Sequence, residues 1–254
     1  MMKKIITLAA EKGGVGKTTM GLHAVYALLE VKSKVLVIDT CPQSNISSAL
    51  GVARGEAEDS SSVHLFSGKC PEPILTKSGA YLIPASRILE KVEAMDQATA
   101  ITDFRNAVRK MVKDGGFDFC VIDTPPSIGV RLRAALAAAT SVVSPMECAT
   151  FSLEGLDILL DTISEVKALY NPELRHDAII ANKYRGTKAH KEVHQAMKDA
   201  TSVTLNTPLG LYSAIEATAQ TQKPVWASRK TGAERQAAEN MEAVIVEVIG
   251  MVQQ

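Results

Sequence analysis

The feature that most constrains the fold is a glycine-rich segment close to the N-terminus. It reads Glu-Lys-Gly-Gly-Val-Gly-Lys-Thr-Thr over residues 11–19. An apolar run at residues 5–10 precedes it, and helix-compatible sequence follows it as far as Glu30. Glycines between a strand and a helix let backbone N–H groups converge on one anion at the helix N-terminus. The segment therefore predicts a phosphate-binding loop within a strand–loop–helix unit.

The residues of this loop divide into backbone and side-chain ligands. The strict P-loop pattern requires glycine at position 11, where this chain has glutamate, but the second half of the pattern is intact. Lys17 can reach β- and γ-phosphates, and the Thr18 hydroxyl can ligate Mg²⁺. The residues expected to bind the phosphates are Gly13, Gly14, Val15, Gly16, Lys17, Thr18 and Thr19.

The rest of the chain repeats the alternation of strand and helix. Short runs that are apolar on both faces occupy residues 35–38, 81–84, 119–122, 141–143 and 178–181. Helical patterns occupy residues 101–113, 152–170, 190–200 and 233–251. This order predicts an α/β fold with one doubly wound, mostly parallel sheet flanked by helices. Ligands of such sheets bind at the carboxyl ends of the strands, where Asp39 and Asp123 also lie.

The length and composition support one folded domain. The chain has 254 residues, 46% of them hydrophobic and 22% charged, which excludes disorder as its overall state. No internal repeat is present, and residues 51–79, rich in Gly, Ser and Glu, are expected to form a peripheral insertion. We therefore expect residues 1–254 to form a single domain.

Neither a membrane segment nor a disulfide framework is indicated. The most apolar stretch, residues 134–146, is shorter than the roughly 18 residues that a membrane span needs. The N-terminal apolar run ends at a charged residue, Glu11, before it reaches the length of a signal peptide. The four cysteines show neither metal-site nor disulfide spacing, so we expect a reducing, cytoplasmic location.

Three segments together resemble the ParA/MinD family of P-loop ATPases, whose phosphate loop is a deviant Walker A box. The lysine ahead of the glycines, Lys12, marks that box; residues 35–45 resemble the family's second box and residues 122–129 its Walker B and switch segment. Residues 79–86 and 151–156 resemble stretches common in partition ATPases. The resemblance implies an ATPase with ATP and Mg²⁺ as cofactors, and a homodimer that sandwiches two ATP molecules. It also implies that Lys12 reaches the partner's nucleotide, that Lys17 is catalytic, and that Asp123 holds Mg²⁺ through water.

The second box departs from the family at one position. Family members typically read Asp-x-Asp-Pro, whereas this chain has Asp39-Thr40-Cys41-Pro42. Asp39 keeps its implied catalytic place, but Cys41 replaces the carboxylate linked to orienting the attacking water. A neutral thiol is a weak hydrogen-bond acceptor and does not replace a carboxylate. We therefore expect the chain to bind ATP and to hydrolyse it slowly, unless a partner or Asp39 supplies the missing function.

The resemblance also implies a base site and a DNA surface. Asn182 is implied to recognise adenine, and the segment near Pro208 to pack on the base. The first basic cluster consists of Lys183, Arg185, Lys188 and Lys191, with Lys198 nearby; the second consists of Lys223, Arg229, Lys230 and Arg235. Both lie in the last third of a chain that has 28 basic and 28 acidic residues overall. That distribution is compatible with weak DNA binding that is independent of sequence.

The predicted function is that of a ParA-type partition ATPase. It would bind nucleoid DNA in its ATP state and position a plasmid, chromosome region or other cargo, with a ParB-like or other adaptor stimulating hydrolysis. Because only about ten residues precede the phosphate loop, we expect neither a helix-turn-helix domain of the kind that larger partition ATPases carry nor sequence-specific operator binding. A MinD-like membrane switch is the main alternative, although residues 241–254 lack the basic residues of a lipid-binding helix. Reductases and synthetases that share the fold remain a third class.

Overall fold

A computed structural model describes residues 3–148 and 152–254 of the chain, without the side chains of residues 152–154. Phe151, part of one of the quoted partition-ATPase stretches, lies outside the described residues. The strands are β1 (Lys4–Leu8), β2 (Val35–Asp39), β3 (Ile74–Leu75), β4 (Tyr81–Ile83), β5 (Phe119–Asp123), β6 (Ser141–Glu147) and β7 (Arg175–Asn182).

These strands form one seven-stranded sheet in the order β3-β4-β2-β5-β1-β6-β7. Every neighbouring pair is parallel except β3 and β4, which are antiparallel at one edge. Because β5 lies between β2 and β1, the carboxyl ends of these three strands are adjacent. Asp39 pairs in register with Asp123, and Asp123 with Leu8. The phosphate loop and both aspartates therefore lie together at the carboxyl ends of the central strands.

Helices cover both faces of the sheet. They are α1 (Lys17–Glu30), α2 (Asn45–Ala49), α3 (Gln97–Asp114), α4 (Val130–Ala138), α5 (Ser152–Leu169), α6 (Lys188–Ala200), α7 (Ser213–Glu216), α8 (Thr218–Thr221) and α9 (Gly232–Gln253). Side chains of β5 alternate between the faces: Cys120 and Ile122 join the core under α3 and α4, while Phe119 and Val121 join the core under α1 and α9. Burial on both faces explains why the strands read as unbroken apolar runs. The predicted doubly wound α/β fold is confirmed.

The segment predicted as a peripheral insertion is partly a core element. Within residues 51–79, a 3₁₀ helix at Ser62–Ser67 buries Leu65 and Phe66 completely. The rings of Phe66 and Phe104, on α3, lie 4.5 Å apart between centroids. Strand β3 in the same segment also extends the sheet. Leu65 and Phe66 stand among polar residues, so the sequence contains no apolar periodicity that would predict their burial.

Candidate functional site

The phosphate loop joins β1 to α1, and its backbone conformation depends on glycine. Gly14 and Gly16 have φ angles of 71° and 99°, in the left-handed region that residues with a side chain rarely adopt. Gly16 directly precedes α1, so the free N–H groups of the first helical turn point out of the loop. The predicted strand–loop–helix unit is therefore present, with its N–H groups placed to receive an anion.

Lys17, the first residue of α1, is hydrogen-bonded to the backbone at the start of the loop. Its Nζ donates hydrogen bonds to the carbonyl oxygens of Ala10, at 3.3 Å, and Lys12, at 3.1 Å. Burial lowers the pKa of Lys17, and the nearby charge of Asp123 opposes that shift. Lys12 itself lies at the exposed rim of the loop.

Thr18 and Asp123 come together at the start of α1. Thr18 Oγ1 donates a hydrogen bond of 2.7 Å to Asp123 Oδ2, while Asp123 Oδ1 is buried and has no hydrogen-bond partner among the described residues. Burial, followed by the neighbouring carboxyl of Asp39, raises the pKa of Asp123. A buried, unpaired carboxylate oxygen beside a threonine hydroxyl offers the oxygen ligands that Mg²⁺ prefers. These two side chains could therefore hold a metal ion.

Asp39 is fully buried, and its carboxylate shapes the loop after β2. It accepts hydrogen bonds from Ser47 Oγ at 2.6 Å, from the N–H of Ser47 at 3.1 Å and from the N–H of Cys41 at 2.9 Å. Burial raises the pKa of Asp39, although these bonds favour its ionised form. Its contacts assign Asp39 to building the loop, and its catalytic role stays a prediction.

Cys41 faces the pocket at the phosphate loop. The pocket has an empty volume of about 790 Å³ and is lined by Gly13, Gly14, Gly16, Lys17, Thr18, Thr19, Cys41, Gln43, Asn45, Thr124 and Pro126. Burial raises the pKa of the Cys41 thiol to about 11, so the side chain is neutral at pH 7. An uncharged thiol therefore occupies the position at which the family resemblance implies a carboxylate that orients water.

Asn182, at the end of β7, is bonded to the phosphate loop. Its Nδ2 donates to the Val15 carbonyl oxygen at 2.7 Å, and its Oδ1 accepts from the N–H of Lys183 at 2.7 Å. A Cβ on Gly16 would overlap Asn182 Nδ2, so the side chain of Asn182 packs directly against this glycine. Both ends of this amide are therefore used by the protein, and adenine recognition by Asn182 stays a prediction.

Pro208 lines a second pocket close to the loop that follows Asn182. This pocket has an empty volume of about 740 Å³ and includes Tyr184, Arg185 and Tyr212. Gln236 and Asn240 of α9 close its other side, and Asn240 Nδ2 donates to the Pro208 carbonyl oxygen at 3.0 Å. The pocket brings Arg185 of the first basic cluster near the start of α9, where the second cluster lies.

The two basic clusters differ in how far their charges are already neutralised. In the first, Lys183 Nζ lies 3.6 Å from Glu147, and Lys188 pairs with Glu192 on the exposed face of α6. In the second, Arg229 forms an ion pair with Glu242 on α9. Within the two clusters, the exposed side chains are those of Arg185, Lys188, Lys191, Lys223, Arg229, Lys230 and Arg235.

The sequence reasoning missed one ion pair next to the switch segment. Glu93 accepts hydrogen bonds from Arg131 Nε at 2.8 Å and from the N–H of Val130 at 2.7 Å. It thereby caps α4, whose N-terminus follows the switch segment, and a Cβ on Gly129 would overlap its carboxylate. Arg131 Nη1 is buried without a hydrogen-bond partner. An arginine at the start of an apolar helix was the signal for this pair, but its partner lies 38 residues away.

Within residues 3–148 and 152–254, no cluster of three or more His, Cys, Asp or Glu side chains could hold a metal ion. Over the same ranges, none of the helices combines the length and apolar character that crossing a membrane requires.

Comparison with known proteins agrees with this geometry. A family model described as an AAA domain matches residues 3–176. The chromosome-partitioning ATPase Soj of Thermus thermophilus is 35% identical over 182 residues, which cover 71% of this chain and 70% of Soj. The chromosome partitioning protein ParA of Myxococcus xanthus is 33% identical over 199 residues, covering 76% of this chain and 70% of that protein.

Among solved structures, one described as cobyrinic acid a,c-diamide synthase from Mycobacterium smegmatis, with bound ATP analogue and magnesium, is 29% identical with a TM-score of 0.76. The matched region covers 91% of this chain and 99% of the M. smegmatis chain. The identity and coverage of Soj and ParA place the sequence among partition ATPases, as the three resembling segments predicted. The chain belongs to the ParA/Soj family of P-loop ATPases.

Proposed function

We propose that this protein is an ATP-dependent partition ATPase that dimerises around ATP, binds DNA without sequence preference in that state, and positions a cargo through an adaptor protein. It would act in the cytoplasm, on the nucleoid. Family membership supports ATPase chemistry and a partition role.

The observation that carries the proposal is the pairing of Thr18 with Asp123 beside the phosphate loop. Loop N–H groups and Lys17 offer positive charge to phosphates, while Asp123 Oδ1 is a buried oxygen that lacks a partner. A bound Mg²⁺ would neutralise phosphate charge between these groups. The M. smegmatis structure, with ATP analogue and magnesium, supports ATP and Mg²⁺ as the cofactors of this site.

Asn182 would contribute to nucleotide binding through the loop it supports. Its amide fixes the carbonyl of Val15, and therefore the direction of the neighbouring N–H groups. The second pocket, with Pro208 and two tyrosines, has the apolar and aromatic character that a base requires.

Dimerisation would depend on Lys12. Its position at the exposed rim of the loop fits a side chain that reaches a nucleotide bound by a second copy. An ATP-locked pair would also present two copies of each basic cluster, which strengthens an electrostatic contact with DNA phosphates.

Hydrolysis would be slow because Cys41 lines the pocket where a carboxylate was expected. Losing one group that activates or orients the attacking water typically costs about 10²–10⁴-fold in rate. A stimulating adaptor would then act mainly by supplying or repositioning that missing function, and release from DNA would follow hydrolysis.

DNA co-sedimentation with no nucleotide, ADP, ATP and a non-hydrolysable ATP analogue, at two salt concentrations, tests this proposal. We expect binding only with ATP and the analogue, equal for unrelated DNA sequences, and weaker at the higher salt concentration. Changing Lys223 and Lys230 together to Ala should weaken binding uniformly, whereas the matched pair Lys69→Ala and Lys77→Ala should not. Binding that ignores the nucleotide would contradict the proposal.

Two other results would redirect it. Co-sedimentation with anionic liposomes in the ATP state would favour a MinD-like membrane switch. ATP turnover that neither DNA nor liposomes affect would favour a metabolic enzyme with this fold.

A further inference from the structure

A broad groove lies at the amino ends of the strands, at the opposite end of the sheet from the phosphate loop. It has an empty volume of about 1740 Å³ and runs between the end of α1, the start of β5 and the outer face of α9. Residues 31–33 precede β2, and Asp118 precedes β5, so the groove lies at the amino ends of these strands. The nucleotide pocket follows the carboxyl ends of the same strands. An occupant of the groove would therefore not compete with nucleotide.

The groove exposes apolar side chains on both of its walls. Val31, just after α1, and Val246, on α9, are each 72% exposed. Between them, Ile249 is only partly buried, while Leu28 and Phe119 form a buried floor. Several exposed apolar side chains gathered in one concavity are typical of interaction sites. The groove therefore has the form of a docking site for a protein segment.

The charges at the groove favour a basic partner. Its lining includes three acidic residues, Glu30, Asp118 and Glu242, and one basic residue, Lys32. Glu242 forms an ion pair with Arg229, so Glu30 and Asp118, set against Lys32, leave one net negative charge in the lining. Glu30 accepts a hydrogen bond of 2.7 Å from Trp226 Nε1, and Asp118 one of 2.8 Å from the N–H of Lys34. These bonds hold both carboxylates at the edge of the apolar surface.

We propose that this groove docks a short protein segment that combines apolar side chains with lysine or arginine, as one face of an amphipathic helix does. Apolar residues of the segment would lie between Val31 and Val246, and its basic residues would meet Glu30 and Asp118. This is the helix-in-groove mode of recognition, with charge setting the preference between partners. The inference does not depend on the proposed function, because its test uses neither nucleotide nor DNA.

Trp226 gives the test a direct readout. It is the only tryptophan of the chain and lines the groove. The probe is a synthetic amphipathic helix of leucine and lysine, and the control peptide replaces each lysine with glutamate. We expect a saturable change in Trp226 fluorescence with the lysine peptide and about tenfold weaker binding of the glutamate peptide. An absence of saturable change, or equal affinity for both peptides, would overturn the proposal.

Variants separate the apolar and the charged contributions. Val246→Ser should weaken the lysine peptide by about threefold to tenfold, whereas Leu75→Ser, at a residue 62% exposed on the far edge of the sheet, should not. Glu30→Gln combined with Asp118→Asn should reduce the preference for the lysine peptide, and the matched pair Glu72→Gln and Glu173→Gln should leave it unchanged. If the control variants had the same effects as the groove variants, the peptide would be binding elsewhere and the proposal would be wrong.

Discussion

Thr18 Oγ1 donates a hydrogen bond of 2.7 Å to Asp123 Oδ2, joining two side chains that are 105 residues apart in the chain. The bond connects the first turn of α1 to the end of β5. In the part of the chain that the structure describes, it leaves Asp123 Oδ1 buried and without a hydrogen-bond partner. The arrangement costs stability unless a cation is bound, because burial penalises an ionised carboxylate that is not fully paired.

Asp123→Asn should therefore separate stability from function. Burial raises the pKa of Asp123 to about 7, above its ordinary 3.8, so this group's contribution to stability declines as pH rises between those values. At pH 8 without nucleotide or Mg²⁺, we expect the variant to be at least as stable to urea as the wild type. We also expect Mg²⁺ to strengthen binding of a fluorescent ATP analogue about tenfold less than in the wild type. Asp199→Asn, at an exposed position, is the control; an unchanged Mg²⁺ effect in Asp123→Asn would exclude Asp123 from the metal site.

Cys41→Asp should accelerate hydrolysis. A carboxylate at this position of the pocket would supply the acceptor that the neutral thiol lacks, so single-turnover hydrolysis should rise by about 10²-fold or more. Cys41→Ser, which introduces no charge, is the matched control and should remain slow. ATP binding should change little in either variant, because the phosphate loop is untouched. Equal rates in all three proteins would show that Cys41 does not limit hydrolysis.

Asn182→Ala should weaken nucleotide binding, and its relative effects on ATP and GTP test whether Asn182 also reads adenine. The substitution removes the bond to the Val15 carbonyl and the bond from the N–H of Lys183, so we expect a loss of about 1–3 kcal/mol in unfolding free energy. Both affinities can be measured by competition with a fluorescent analogue, and similar losses for ATP and GTP would mean that Asn182 acts only through the loop. A loss confined to ATP would instead establish that Asn182 reads adenine.

Glu93→Gln should cost more stability than its surface position implies. It removes the charge that pairs with Arg131, whose side chain is only 9% exposed, and we expect a loss of about 2 kcal/mol in urea unfolding. Arg131→Met should be better tolerated, since it removes the buried charge together with its unpartnered Nη1. The double variant should lose less than the sum of the single losses. Strict additivity would mean that the pair contributes no coupling energy.

His23 should make stability depend on pH in the acid range. Burial lowers its pKa from 6.5 to about 4, while its two nitrogens face the Thr19 carbonyl oxygen and the N–H of Val225. The unfolded chain therefore binds a proton first, and this contribution is complete above pH 6.5 and is lost as pH falls towards 4. The stability advantage over His23→Gln should shrink by about 3 kcal/mol across that window. An advantage that is independent of pH would show that His23 has the same pKa in the folded and the unfolded state.

The fold and the phosphate loop could be read from the sequence because their signals are local. Strands buried on both faces must be apolar throughout, and Gly14 and Gly16 adopt backbone angles that glycine adopts most easily. The sequence also placed Asp39 and Asp123 at the ends of strands, next to the loop. Strand β3 and the buried Phe66 escaped prediction because a two-residue strand and an isolated aromatic residue produce no periodic pattern.

Only the tertiary structure decided which atoms of these residues form hydrogen bonds and ion pairs, and with which partners. It assigned the Asp39 carboxylate to Ser47 and to the backbone of Cys41, left Asp123 Oδ1 without a partner, and joined Glu93 to Arg131. It also brought Val31 and Val246 to the walls of one groove. Such contacts join residues far apart in sequence, and their geometry depends on how strands and helices pack. The sequence by itself determined the family and the chemistry of the phosphate loop; packing determined how each side chain takes part.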